Sequence, residues 1–201
     1  QVGNEPGVSP TVRIRGITSL IGGNDPLVAI MGASYGGANA LITASNDDRI
    51  DAVVADITWN NLYQDLFPQS VIGSQEPGPF KKVWAGTFFT AASLQGAYLG
   101  ECGSFADIWC SSYRDAALNG QPSAAQIEIL KSVSPIEYLK NLKAPALISQ
   151  GQADSLFPLV ESYRSAAAIK SANPKLPLAM IWHAGGHDGG VDESKFLNQN
   201  Y

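Results

Sequence analysis

The sequence predicts an α/β protein, a mainly parallel sheet with helices between its strands and a helical insertion. Three observations lead there. Continuous apolar runs, as expected of buried parallel strands, recur at Leu27–Met31, Ile50–Ile57, Ala144–Gln150 and Leu176–Trp182. Stretches with helical patterning separate them. Between the second and third runs, from Thr58 to Leu142, the pattern turns helical and aromatic.

In chain order, residues 1–26 are rich in Gly, Pro and Asn and look peripheral, apart from the alternating run Val12–Ile17, which can form an edge strand. Leu27–Met31 is the first core strand, Gly32–Gly37 a sharp turn and Ala38–Ser45 a small-residue helix. With Ile50–Ile57, which is rich in β-branched residues, they make a βαβ unit. In the insertion, Phe80, Trp84 and Phe88 recur every four residues and share one helix face. Ser123 with Gln126, and Ser134 with Glu137 behind Pro135, read as capping boxes that start two more helices. Strand, helix and strand then follow at Ala144–Gln150, Pro158–Ser171 and Leu176–Trp182, and Glu193–Asn198 makes a short closing helix. The expectation is a doubly wound α/β domain built from 1–59 and 141–201, with 60–140 as a helical cap.

Composition narrows the function. The 201 residues are 45% apolar and 15% charged, with 20 Gly and 12 Pro, which suits a globular domain with a sizeable core and excludes disorder and fibre. Thirteen Lys+Arg against 18 Asp+Glu give a net charge of −5, without a basic run longer than two residues, so nucleic acid is not an expected partner. The apolar runs fall far short of the roughly 20 residues of a membrane span. Sparse charge and a start at Gln1 suit a processed chain, secreted or at the cell surface, with the cytoplasm as the alternative. Cys102 and Cys110, eight apart, can close a disulfide; two free buried thiols are the alternative. A structural zinc site needs four ligands, and the only two histidines lie more than seventy residues from the cysteines, so no metal is expected.

The chemistry centres on Gly32-Ala33-Ser34-Tyr35-Gly36, a G-x-S-x-G pattern between a predicted strand and a predicted helix. A serine on such a turn projects its hydroxyl above the carboxyl end of the sheet, where the Tyr35 N–H can meet an oxyanion. The alternative, a glycine-rich turn for a phosphate, lacks the lysine and the spacing. Serine needs a base, and the choice lies between His183, expected at the strand end, and His187, in the loop beyond Ala184-Gly185-Gly186. His187 can reach Ser34. Chain order then asks for an acid between serine and histidine; Asp154, just past a strand end, fits best, with Asp56 as runner-up and Asp188 too close to His187 in sequence to orient it easily.

Gly-Ala-Ser-Tyr-Gly-Gly at 32–37, Ile-Thr-Trp-Asn at 57–60, Gln-Gly-Gln-Ala-Asp-Ser-Leu-Phe-Pro at 150–158 and Trp-His-Ala-Gly-Gly-His-Asp-Gly-Gly at 182–190 resemble the X-prolyl dipeptidyl-peptidase and cocaine-esterase-like acyl hydrolases of the α/β-hydrolase superfamily. The resemblance runs from Asp25 to Gly190 and implies Ser34, Asp154 and His187 as the triad, under a cap. The residues themselves predict a serine hydrolase for a small ester or peptide, without cofactor, whose pocket lies between the sheet's carboxyl edge and the cap and is lined by Tyr35, Trp59 and Phe157, with Trp84 and Phe88 as further candidates from the cap. For the cap aromatics, ordinary core packing is the alternative. The family has further strands before the elbow and a loop that donates a second oxyanion contact. An additional chain segment or subunit is therefore expected to complete the sheet, and a catalytically silent hydrolase-like binding module is the rival reading.

Overall fold

The computed structural model describes residues 26–68, 78–96, 100 and 102–190. The expected strand at Val12–Ile17 and the expected helix at Glu193–Asn198 lie outside these residues. Among the described residues four parallel strands, β1 (Ala29–Ala33), β2 (Ala52–Asp56), β3 (Ala146–Gly151) and β4 (Leu178–His183), pair in the order β1-β2-β3-β4. Helix α1 (Tyr35–Asn46) joins β1 to β2. The excursion after β2 holds α2 (Leu62–Leu66), α3 (Lys82–Gln95), α4 (Asp107–Asn119) and α5 (Ala124–Ser132), then 3-10 turns at Pro135–Glu137 and Leu139–Asn141. Helix α6 (Leu159–Ala172) joins β3 to β4.

The core lies on one face of this sheet. Val53 and Ala55 of β2 stand in register with Ala146 and Ile148 of β3, and all four are buried against Leu41 and Ala44 of α1 and Ala166 and Ile169 of α6. Among the described residues, α1 and α6, which join β1 to β2 and β3 to β4, pack on the same face. Strand order never reverses among the described strands, and crossovers of one hand that move steadily across a sheet all pass over one side. The opposite face carries Met31, Val54, Leu147 and Ala179 in register, with Met31 78% exposed.

The first strand begins two residues later than its apolar run. The Val28 N–H is taken by the Asp51 carboxylate at 2.7 Å, so the ladder starts at Ala29 and runs to Ala33 opposite Asp56. Apolar runs report burial, whereas strand limits follow hydrogen-bond partners. The Ser123–Gln126 capping box at the start of α5 is present as expected. The one expected at Ser134 is absent: Ser134 Oγ donates to the Leu130 carbonyl and accepts from Leu62 N–H, and only a 3-10 turn follows. Phe80 lies before α3 rather than on it and stacks on Phe67, 4.9 Å between centroids, in a small core with Ala116 and Leu130. Cys102 and Cys110 are joined, tying the approach to α4 to its first turns.

The turn between β1 and α1 is tight. Ser34 has φ 54° and ψ −122°, and its N–H bonds the Asp56 carbonyl at 2.9 Å. A Cβ on Gly32 would stand 2.3 Å from the Gly36 carbonyl carbon, and one on Gly37 would stand 2.9 Å from the Asp56 oxygen; at Gly36 the space is open. The glycine requirement therefore falls on Gly32 and Gly37. Gly32→Ala is expected to lose on the order of 1–3 kcal/mol in urea denaturation, as overpacking against backbone does, while Gly36→Ala stays within about 1 kcal/mol of the parent. Equal losses at the two positions would contradict this account of the turn.

Candidate active site

Because the strands are parallel, the carboxyl ends of β1 to β4 share one edge, and the loops leaving them meet there. Ser34 follows β1, Asp154 follows β3 and His187 follows β4. The Ser34 hydroxyl lies 2.7 Å from His187 Nε2, and His187 Nδ1 lies 2.7 Å from Asp154 Oδ2. The carboxylate fixes the tautomer: Nδ1–H donates to Asp154, which leaves Nε2 as acceptor for the serine proton. Asp154 also accepts the His187 backbone N–H at 3.1 Å and, through Oδ1, the Phe157 N–H at 2.8 Å. Its carboxylate is fully buried, and the imidazole is held edge-on by Phe157 and Trp84, at 5.2 and 6.1 Å between centroids.

The other candidates separate cleanly. His183 ends β4, and its Nδ1 accepts the Gly185 N–H at 3.1 Å, which puts the ring proton on Nε2, 3.4 Å from Asp56 Oδ1. Asp56 and His183 thus face each other and not Ser34. Asp188 turns away from the His187 ring toward Ser155. Tyr35 opens α1, where helix geometry leaves the first N–H groups without intrahelical acceptors, beside the Ser34 hydroxyl.

A cavity of about 850 Å³ opens from Ser34 beneath the helical excursion. Tyr35, Trp59, Phe88 and Phe157 line it, and Leu62 and Phe105 extend the apolar wall. Phe88 is 48% exposed and so belongs to the wall rather than to packed core. Trp84 is not part of that lining; it stacks on Phe88 and stands against His187. Trp59 is held by its indole N–H on the Val133 carbonyl, 3.1 Å. The bend that aims it starts at Ile57, whose φ of 38° is an outlier for a β-branched residue. Buried Glu161 of α6 then accepts the Asn60 and Asn61 N–H groups at 2.8 and 3.2 Å. Ile57 opens the Ile-Thr-Trp-Asn motif, but nothing in the sequence near Glu161 signals its role.

The sequence signature of the family described as X-Pro dipeptidyl-peptidase (S15 family) matches residues 23–189. The chain belongs to this family. No curated protein sequence matches it. Among solved structures it is similar to the uncomplexed Pyrococcus horikoshii acylaminoacyl peptidase, with 18% identity over 80% of this chain and 20% of that one and a TM-score of 0.49. A puromycin-hydrolyzing peptidase of Mycobacterium tuberculosis gives 19% identity over 85% of this chain and 20% of that one, TM-score 0.45. A Pyrococcus furiosus esterase gives 16% identity over 86% and 48%, TM-score 0.45. The chain therefore spans about a fifth of the two peptidases and about half of the esterase. Among the described residues of this X-Pro dipeptidyl-peptidase family member, no helix is long and apolar enough to cross a membrane, and no cluster of three or more His, Cys, Asp or Glu could hold a metal ion.

Behind the site, Asp65 of α2 is buried against Lys81, Nζ to Oδ1 3.0 Å, and Lys81 also donates to the Leu156 carbonyl at 2.6 Å. Burial pushes the Asp65 carboxyl up to about 7; Lys81 opposes the rise, and the nearby charges of Glu161 and Asp154 add to it. An unfolded aspartate titrates near 3.8. Between those values the folded chain holds a proton that the unfolded chain has released, so this group's contribution to stability is largest in acid and falls as pH rises to about 7. Asp65→Asn removes that dependence. Relative to the parent, the variant is expected to gain stability between pH 5 and pH 8 in denaturant titrations, and a difference that is flat or opposite in sign across that range would refute the assignment.

Proposed function

We propose that this chain carries the catalytic centre of a serine hydrolase that cleaves ester or amide bonds, peptides included, through an acyl-enzyme on Ser34. The observation that supports it most is the unbroken Ser34–His187–Asp154 hydrogen-bond chain, with both links at 2.7 Å, on a turn that lifts the serine off the sheet edge. Ser34 Oγ attacks the substrate carbonyl carbon as its proton passes to His187 Nε2, and Asp154 stabilises the imidazolium. The Tyr35 N–H, at the positive end of α1, meets the oxyanion of the tetrahedral intermediate. His187 then gives its proton to the leaving alcohol or amine, and water, deprotonated by the same nitrogen, releases the acid.

In this reading, residues 60–140 form a cap over a core made of 1–59 and 141–201. The cavity beneath it, walled by Tyr35, Trp59, Phe88 and Phe157, takes the apolar part of a small ester or peptide substrate. Family membership supports the reaction class and leaves ester and peptide substrates both open to test.

A fluorophosphonate probe is expected to label the chain at Ser34, read by peptide mass spectrometry. Ser34→Ala and His187→Ala are each expected to lower kcat/KM on an activated ester by about 10³-fold or more, because triad members act as a unit. His183→Ala is expected to stay within about tenfold of the parent, since its ring faces Asp56. Absence of labelling would favour a silent binding module, and loss of activity with His183→Ala alone would move the base assignment to His183.

A further inference from the structure

We propose that Asp188 is a positioning residue for this reaction: through Ser155 it locks the loop carrying Asp154 to the loop carrying His187. The inference rests on the catalytic reading above. The two loops meet in two successive rungs that mirror each other. In the first, Asp154 of the acid loop accepts the backbone N–H and the ring Nδ1–H of His187, at 3.1 and 2.7 Å. In the second, one residue further along each loop, Asp188 of the base loop accepts the backbone N–H and the hydroxyl of Ser155, at 2.5 and 2.8 Å. Each loop supplies one carboxylate and one pair of donors.

The second rung has a job that the first cannot do alone. His187 follows Gly186, with φ 146°, and precedes Gly189 and Gly190, with φ 87° and 147°, and the turn around it is closed on itself by one backbone bond, Gly189 N–H to the Gly186 carbonyl at 3.0 Å. Both bonds of the first rung end on the same Asp154 oxygen, which by itself leaves that loop able to pivot about the Asp154 side chain. A second contact removes the pivot and holds Nε2 over Ser34, where a misplacement of about 1 Å can cost about 10²-fold in rate. The direction of the rung is also set. Trp84 Nε1–H, which can only donate, bonds Ser155 Oγ at 3.1 Å, so the hydroxyl accepts there and its own proton points to Asp188. The two bonds from Ser155 hold the Asp188 carboxyl below the usual carboxylate range, so it remains an acceptor at neutral pH. Trp84 lies on α3, a helix with no fully buried residue, and the Ser155 hydroxyl is therefore where three segments are tied together.

The test uses the full chain with Asp188→Ala, Ser155→Ala, Ser155→Thr and the Asp188→Ala/Ser155→Ala double variant. The readouts are kcat and KM on an activated ester, the rate of Ser34 labelling by a fluorophosphonate, and the downfield proton resonance of His187 Nδ1–H. Asp188→Ala is expected to lower kcat and the labelling rate about 10- to 100-fold with KM within about threefold, and to broaden the Nδ1–H resonance by exchange with water. Ser155→Ala is expected to act in the same direction more weakly and Ser155→Thr to recover most of that loss. The loss in the double variant should be well short of the sum of the two single losses, because both changes break the same Asp188–Ser155 rung, and what Ser155→Ala adds is the Trp84 bond. Labelled Ser34 with an unchanged rate and an intact resonance in Asp188→Ala overturns the clamp and leaves the catalytic reading standing; a parent chain that does not label overturns both. If Asp188→Ala does not fold, the Ser155 pair decides: equal kcat in the Ala and Thr variants rejects the proposal.

Discussion

Ser34 is held where a residue with a side chain would not rest by itself. Its backbone sits at φ 54°, ψ −122°, and it stays there because its N–H is bonded to the Asp56 carbonyl while the Gly32 and Gly37 backbones close in around it. That strain is sustained by the parallel pairing of β1 with β2, which brings Ala33 opposite Asp56 and so sets the Asp56 carbonyl beside the turn. The place of the hydroxyl and the start of α1 beside it both follow from this turn. A relaxed turn would lay Ser34 along the sheet edge and leave His187 Nε2 without its hydroxyl partner.

The remaining groups arrive by the logic of a parallel sheet. β3 and β4 run the same way as β1, so the loops after them open onto the same edge, and neither Asp154 nor His187 needs a long reach. Short connections of this kind are precise only when their ends are tied. Here Asp154 holds Phe157 N–H on its own loop and His187 across the gap, while Gln152 N–H bonds the His183 carbonyl at 2.7 Å. His183 and Asp56 form a separate pair beside the His187–Asp154 pair and brace the start of the histidine loop through the Gly185 N–H.

The helices between β2 and β3 contribute a wall more than a core. Their own apolar centre is small, built round Phe67, Ala116 and Leu130, and α3 touches the rest of the molecule through a few specific contacts: Lys81 just before it to Asp65 and Leu156, Trp84 to Ser155, and Phe89 stacked on Tyr113 at 4.1 Å. Polar anchors at one end and stacked rings along the other leave an apolar space between helix and sheet edge. This division of labour puts tied loops around Ser34, His187 and Asp154 and a broad apolar surface beside them.

Local signals were enough for much of this. G-x-S-x-G between a strand and a helix located the turn, because its sterics depend on residues next to one another, and the four apolar runs gave the strands to within about two residues. Loop position points to His187 rather than His183 as the partner of Ser34, and chain order points to Asp154 as the partner of His187. What the sequence could not carry were partners distant along the chain. Nothing near Asp188 says that it will meet Ser155 and not the neighbouring imidazole, nothing near Ser134 says that Leu62 will claim its hydroxyl, and nothing near Asp65 announces a buried carboxyl beside Lys81. The one-sided packing of α1 and α6 likewise depends on strand order, which apolar runs do not encode. Sequence by itself determined which segments become strands and which groups lie at their ends, since those are properties of neighbours; tertiary structure decided which of those groups pair, because hydrogen-bond partners are chosen by proximity that exists only after the sheet has formed.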